Sequence, residues 1–118
     1  MKYLCLIYDD EKALAQWPKG ESDAFFGEYM AFTQGLRTSG HFVAGDGLQP
    51  THTATTVRVR NGRTATTDGP FAETKEQLGG YYLVEARDLN EAIQIAARIP
   101  SARVGCIEIR PIMDYGNG

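Results

Sequence analysis

The sequence predicts an α+β domain in which two strand–helix–strand units share one sheet and a β-hairpin is inserted between them. Three observations predict it. Short apolar or alternating runs recur near the start, middle and end of the chain; helical periodicity fills two of the intervals; and Asn61-Gly62 joins two Thr-rich alternating runs. At 118 residues there is material for a single core, so one domain over residues 1–113 with a short C-terminal tail is expected.

The first strand is Tyr3 to Tyr8, apolar on both parities as a strand covered on both faces would be. Asp9 to Gly20 is acidic and broken by Trp17-Pro18-Lys19-Gly20, a loop with room for a helical turn and a Trp to lay over a core edge or pocket rim. Ser22 is a suitable N-cap, and Phe25, Tyr29, Phe32 and Leu36 then follow at spacings of four, three and four, one face of an amphipathic helix. Ser39-Gly40 ends it. His41 to Leu48 reads as the second strand, followed by a polar loop through Gln49-Pro50-Thr51-His52.

Thr55 to Arg60 and Arg63 to Asp68 flank the Asn-Gly turn, so Thr55 should face Asp68, Arg58 face Ala65 and Arg60 face Arg63. Val57 and Val59 then share a face with Thr64, Thr66 and Asp68; if that face is covered, Asp68 is carried inward. Gly80 to Arg87 is a further strand, and Asp88 opens a second helix, with Leu89, Ala92, Ile93, Ala96 and Ile99 at helical spacing until Pro100. Val104 to Arg110 alternates as the last strand, with Tyr115 to Gly118 a frayed tail.

This order gives the ferredoxin-like split arrangement, with both helices on one face of the sheet. The other face keeps apolar side chains that a chain this small cannot cover, and a second copy is the economical cover: a sheet-to-sheet homodimer is expected.

A formal charge of −3, with 42% hydrophobic and 23% charged residues, describes a soluble globular chain and gives no reason to expect nucleic acid or membrane as a partner. The apolar start is too short for a signal segment, which suggests a cytoplasmic protein. Cys5 and Cys106 lie inside apolar runs without His or Cys at ligand spacing, so two buried thiols and neither metal nor cofactor are expected.

The richest stretch is Thr67 to Tyr82. Asp68 can accept backbone N–H bonds in a turn, Gly69 can adopt dihedrals closed to other residues, Pro70 fixes φ, and Phe71 offers an apolar anchor before Glu73, Lys75 and Gly79-Gly80-Tyr81-Tyr82. Its plainest reading is a rigid connection. Its functional reading is a pocket, with Asp68 a candidate catalytic acid or base and His41, at a helix-to-strand junction, its candidate partner. Tyr8, Arg58, Gly69, Pro70, Phe71, Glu73, Lys75, Tyr81 and Tyr82 are the candidate ligand contacts. A lone His more often caps or sits at the surface, and nothing resembles an activated nucleophile or a phosphate cradle.

Ala54-Thr-Thr-Val-Arg58, Asp68-Gly-Pro-Phe-Ala-Glu-Thr-Lys-Glu76, Gly79-Gly-Tyr-Tyr82 and Glu108-Ile-Arg-Pro111 together resemble the DGPF branch of the YCII-related proteins, over about Lys2 to Met113. The resemblance implies a dimeric ferredoxin-like α/β barrel, bacterial and cytoplasmic, often encoded beside extracytoplasmic-function sigma factors, with no settled activity. Related YCII proteins have been proposed to use a His and Asp pair, for which His41 and Asp68 are the nearest equivalents by chemistry. The expected function is a homodimer binding an unknown small molecule around Asp-Gly-Pro-Phe, with a possible sigma-factor association. The alternative is a small-molecule enzyme using Asp68 with His41 or a Tyr.

Overall fold

The computed structural model describes residues 1–116. Its order is β1 (Lys2–Asp9), α1 (Glu11–Ala15), α2 (Lys19–Thr38), β2 (Phe42–Gly47), β3 (Thr55–Arg60), β4 (Arg63–Asp68), β5 (Gln77–Glu85), α3 (Leu89–Ala97) and β6 (Cys106–Pro111). Four strands form an antiparallel sheet in the order β2-β5-β1-β6, and β3-β4 form a separate two-stranded sheet. The main sheet has the mixed α+β, ferredoxin-like arrangement, with its two longer helices on one face.

Parity along the strands selects the core. Tyr3, Cys5 and Ile7 of β1 and Tyr82 and Val84 of β5 face the helices, where Leu36 of α2 and Ala92, Ile95 and Ala96 of α3 meet them, with Ile99 just beyond. Leu36, Ile95, Ile99 and Val84 are fully buried, each contributing about 1.5–3 kcal/mol of transfer free energy. On the opposite face Leu4, Leu6, Tyr8 and Leu83 stay only half-buried.

Local chemistry sets the ends. Asp10 caps α1 by accepting from the Ala13 N–H at 3.2 Å. The long helix begins at Lys19 with Pro18 in the cap position, four residues before the expected cap Ser22, because Pro18 has the φ a helix entry needs and its carbonyl already accepts from the Ser22 N–H at 3.1 Å. Trp17 packs edge-on against Phe25, ring centroids 5.1 Å apart, clamping the chain where it enters. Asp88 caps α3 through the Glu91 N–H at 2.9 Å. The last strand starts two residues later than expected, since Val104 and Gly105 are held by a 3-10 turn over Pro100–Arg103, the Gly105 N–H bonding to the Ser101 carbonyl at 2.7 Å.

The expectation of two buried thiols holds for Cys5 and fails for Cys106, which is exposed. The reason is parity on an edge strand: Ile107 and Ile109 take the core side of β6, leaving Cys106 with Glu108 and Arg110 on the open side. Burial lifts the Cys5 thiol to about 11.

The hairpin pairs Thr55 with Asp68, Arg58 with Ala65 and Arg60 with Arg63 about Asn61 (φ 53°) and Gly62 (φ 73°). It stands off the body, with Val57 and Val59 each 58% exposed and every residue of β4 exposed. No helix among the described residues is long and apolar enough to cross a membrane. Of the expected tail, Tyr115 and Gly116 are exposed, and Asn117 and Gly118 lie outside the described residues.

Candidate functional site

A cavity of about 420 Å³ opens between α2 and the β2 edge of the sheet, in the size range of small-molecule sites. Its walls are apolar: Ile7 from β1, Phe26 and Met30 from α2 and Phe42 from β2. Two glycines let the strands close around it. A Cβ on Gly45 would stand 2.7 Å from the Tyr82 ring and one on Gly80 would stand 2.9 Å from the Asp46 carbonyl oxygen, so neither position has room for a side chain. Arg37 lies over the Phe42 ring at 4.3 Å from its centroid and borders the cavity on the same side.

Three separated segments bring polar groups to this apolar space. Asp9, on the core parity of β1, lines the cavity; its Oδ2 accepts from Ser101 Oγ at 3.0 Å, and Ser101 Oγ accepts in turn from Tyr29 Oη at 2.5 Å. Ser101 is completely buried, so both of its partners are protein groups. Asp9 Oδ1 is buried and has no hydrogen-bond partner among the described residues, a costly arrangement for a carboxylate. Burial raises the Asp9 carboxyl above its usual range, the Ser101 bond opposes that, and the charge of Glu76 adds to it. Tyr29 is pushed up to about 12, chiefly by burial, so it stays a donor and the chain of bonds runs one way, Tyr29 to Ser101 to Asp9. Beside them Thr33 Oγ1 donates to the Tyr29 carbonyl at 2.8 Å and shares a 2.6 Å bond with Tyr82 Oη. Burial raises the Tyr82 phenol as well.

A second, more polar concavity of about 600 Å³ lies at the base of the hairpin, where Asp68, Gly69, Pro70, Glu73 and Lys75 meet Asp10, Glu11 and Lys12 of the α1 region. Its frame is local. The Gly69 N–H bonds to the Ala54 carbonyl at 2.7 Å, Thr56 Oγ1 to the Gly69 carbonyl at 2.8 Å, and the Glu11 carboxylate accepts from the N–H and hydroxyl of Thr51. Gly69 has φ 100°, the left-handed geometry its residue type permits. Asp68 is exposed to solvent in the single chain and Phe71, 80% exposed, lines neither cavity.

His41 and Asp68 are not brought together. His41 shares a 2.7 Å bond with Ser39 Oγ, and its Nε2 stands 3.5 Å from Glu91 at the start of α3; it borders neither cavity. Glu91 is held below the usual carboxylate range first by the Arg87 N–H, then by the Arg87 and His41 charges. Tyr82 lines the first cavity, and Tyr81, also bordering it, donates to Asp46 Oδ2 at 2.9 Å. Tyr8 lies on the open face with its hydroxyl 3.4 Å from Glu108, and Arg58 is out on the hairpin. Among the described residues no group of three or more His, Cys, Asp and Glu side chains is placed to hold a metal ion.

Sequence reasoning passed over Asp9, Tyr29 and Ser101. Asp9 could have been found: it continues the parity of Tyr3, Cys5 and Ile7, so it is a carboxylate on the buried side of a strand. Tyr29 was hidden by the apolar stripe it belongs to, and Ser101 sits in a 3-10 turn with no periodic signature.

A family model of the YCII-related domain matches residues 1–115. An uncharacterised protein of Rhizobium meliloti (strain 1021) is 37% identical over 120 residues, spanning 100% of this chain and 97% of its own. Among solved structures, 5-chloro-2-hydroxyhydroquinone dehydrochlorinase from Burkholderia phenoliruptrix AC1100, in complex with 2,5-dihydroxybenzoquinone, superposes with a TM-score of 0.56 at 13% identity. The match covers 96% of this chain and 94% of that one, a likeness of fold.

Proposed function

The chain belongs to the YCII-related domain family, and on that premise we propose that it is a homodimeric protein that binds a small, flat, hydroxylated organic molecule in the cavity between α2 and the sheet. One observation carries the reading: beside the apolar wall of Phe26, Met30 and Phe42 stands a carboxyl group with one oxygen satisfied and the other buried without a partner among the described residues. A ligand hydroxyl would share its proton with that carboxyl once the Asp9 side chain turns its unpartnered oxygen from the Gly105 side into the cavity, while Phe26, Met30 and Phe42 receive the ring. The solved dehydrochlorinase of the same fold holds a flat dihydroxylated quinone, which supports the size and class of guest.

The raised Asp9 carboxyl favours a second reading, in which the cavity also performs chemistry. A carboxyl with a lifted pKa can take a proton from a phenolic or carbon acid and return it, the Tyr29–Ser101 pair holding its other oxygen in place. In this reading the acid or base is Asp9 in place of Asp68, since Asp68 and His41 share no cavity. A regulatory role beside a sigma factor would use the same cavity as a sensor.

The test is titration with 2,5-dihydroxybenzoquinone and simple hydroquinones, followed by quenching of tyrosine and tryptophan fluorescence. Binding by the native chain, weakened about tenfold or more in Asp9→Asn and unaltered in Asp68→Asn, is expected; equal affinity in Asp9→Asn would overturn the site. Chloride release from 5-chloro-2-hydroxyhydroquinone separates the enzyme from the binder.

A further inference from the structure

We propose that the β3–β4 hairpin is an arm that packs its Val57/Val59 face onto a second copy of the chain. This rests on the dimeric part of the reading above and adds the element that makes the contact. The starting observation is that the hairpin has no cover of its own. Its strands bond to each other and to no strand of the main sheet, they contact little else, and both valines are more than half exposed. A two-stranded sheet alone in water is marginal at best, and paired exposed valines on one side of it are a surface awaiting a partner.

The shape of the molecule agrees. Its radius of gyration is 16.3 Å, against about 13–14 Å for a compact chain of this length. The excess is the reach of an element extended away from the body.

Charge favours a second copy as the occupant. The hairpin, residues 55–68, carries Arg58, Arg60 and Arg63 against the single carboxylate of Asp68 at its base, while the whole chain stands at −3, so the arm is basic and the remainder more acidic than the total. An arm of one copy is therefore attracted to the body of another even though the two chains repel in net charge. The register puts all three arginines on the face opposite the valines, so they attract the second copy through their field and leave the valine face free for the apolar contact. An open sheet face with half-exposed Leu4, Leu6 and Leu83 gives each copy apolar surface to offer in return. A nucleic acid would also attract the arginines, but it leaves the valine face uncovered.

Docking the arm has a consequence for the second concavity. The loop that lines it is tied to the arm's base through Gly69, by the bonds to Ala54 and Thr56. Fixing the arm on a partner thus fixes one wall of that concavity.

The experiment is sedimentation of the full chain over a concentration series, native and with Val57→Lys/Val59→Lys or Arg58→Glu/Arg60→Glu. A dimer whose dissociation constant rises at least about tenfold in each variant is expected, with the thermal midpoint, read at concentrations where all the chains are monomeric, kept at the native value because the arm lies outside the core. A dimer of unaltered affinity in the valine variant overturns the arm and leaves the dimer standing. A native chain that is monomeric throughout overturns both. Retention of a DNA duplex by the native chain, lost in the arginine variant with dimer affinity unaltered, assigns the arm to nucleic acid and overturns the proposal.

Discussion

Ser101 Oγ donates to Asp9 Oδ2 at 3.0 Å, joining residues 92 positions apart where the turn after α3 passes under the end of β1. Because Ser101 also receives the Tyr29 hydroxyl, a single buried side chain fixes both the carboxyl and the phenol of the cavity. The bond holds one carboxylate oxygen and leaves the other buried without a partner among the described residues, and that asymmetry generates the first two predictions.

Asp9→Asn should raise stability at neutral pH. Burial puts the Asp9 carboxyl above its usual range in the folded chain, so between the ordinary carboxylate value and its own the folded state holds a proton that the unfolded state has released. Stability contributed by this group is therefore present at low pH and falls as pH rises through that window. At pH 7 the ionised, half-satisfied carboxylate is a cost that asparagine lacks. A rise of about 2–5 °C in the thermal midpoint at pH 7, vanishing below about pH 4, is expected from scanning calorimetry. A lower midpoint at pH 7 would sink the assignment of Asp9 as a group kept for function at the expense of stability.

Ser101→Ala should cost about 1–3 kcal/mol, since it leaves the Tyr29 hydroxyl and a carboxylate oxygen of Asp9 buried without a partner. In the Asp9→Asn background the group that Ser101→Ala leaves unpaired at position 9 is neutral, so the same substitution should cost less and the two effects should not add. Urea unfolding of the four chains of the cycle checks it. Strict additivity would mean that the bond carries no energy.

Gly105→Ala should destabilise by about 1–3 kcal/mol or more, as overpacking does. A Cβ there runs into the Tyr8 carbonyl oxygen and comes within 3.1 Å of Asp9 Oδ1. Both obstacles belong to β1, which is locked between β5 and β6 and cannot shift. The same substitution at Gly27, whose Cβ would meet nothing within 4 Å, should instead stabilise the long helix by about 0.4–1 kcal/mol. Opposite signs in the two glycine variants, read by thermal unfolding, are the expected outcome.

The contrast between what the sequence told and what it hid has a physical basis. Strand parity and helix spacing are local, so the β1–α2–β2 and β5–α3–β6 units, and core residues such as Leu36, Ala92, Ala96 and Ile99, could be read from the residue order; on α3 the expected stripe fails at Leu89 and Ile93, which are half exposed, because the helix turns Ile95 to the sheet in their place. The Asn61-Gly62 turn is likewise a two-residue signal, and its pairing register follows from it. The cavity is different, because it is made where α2 passes over β1 and β2, and none of Asp9, Tyr29 and Ser101 is near another in the chain. Asp68 stands out in the sequence because turn residues and charges crowd around it. Crowding in sequence marks a well-specified turn, and here it frames a polar concavity at the hairpin base, apart from the apolar cavity.

Disturbing the hairpin turn should leave the body untouched. Gly62 has φ 73°, so Gly62→Val forces a β-branched residue into the left-handed region at a cost of about 1–2 kcal/mol, and the hairpin, marginal by itself, should open. Among the described residues its base is tied by the bonds of Ala54 and Thr56 to Gly69 and its strands contact little of the body, so that loss is not passed to the core. At concentrations where the chain is monomeric, the thermal midpoint should stay within about 1 °C of native, while amide exchange across residues 57–66 accelerates at least about tenfold and that of β1 and β5 is unaffected. Were the midpoint to fall by several degrees, the hairpin would belong to the cooperative unit and could not serve as an independent arm.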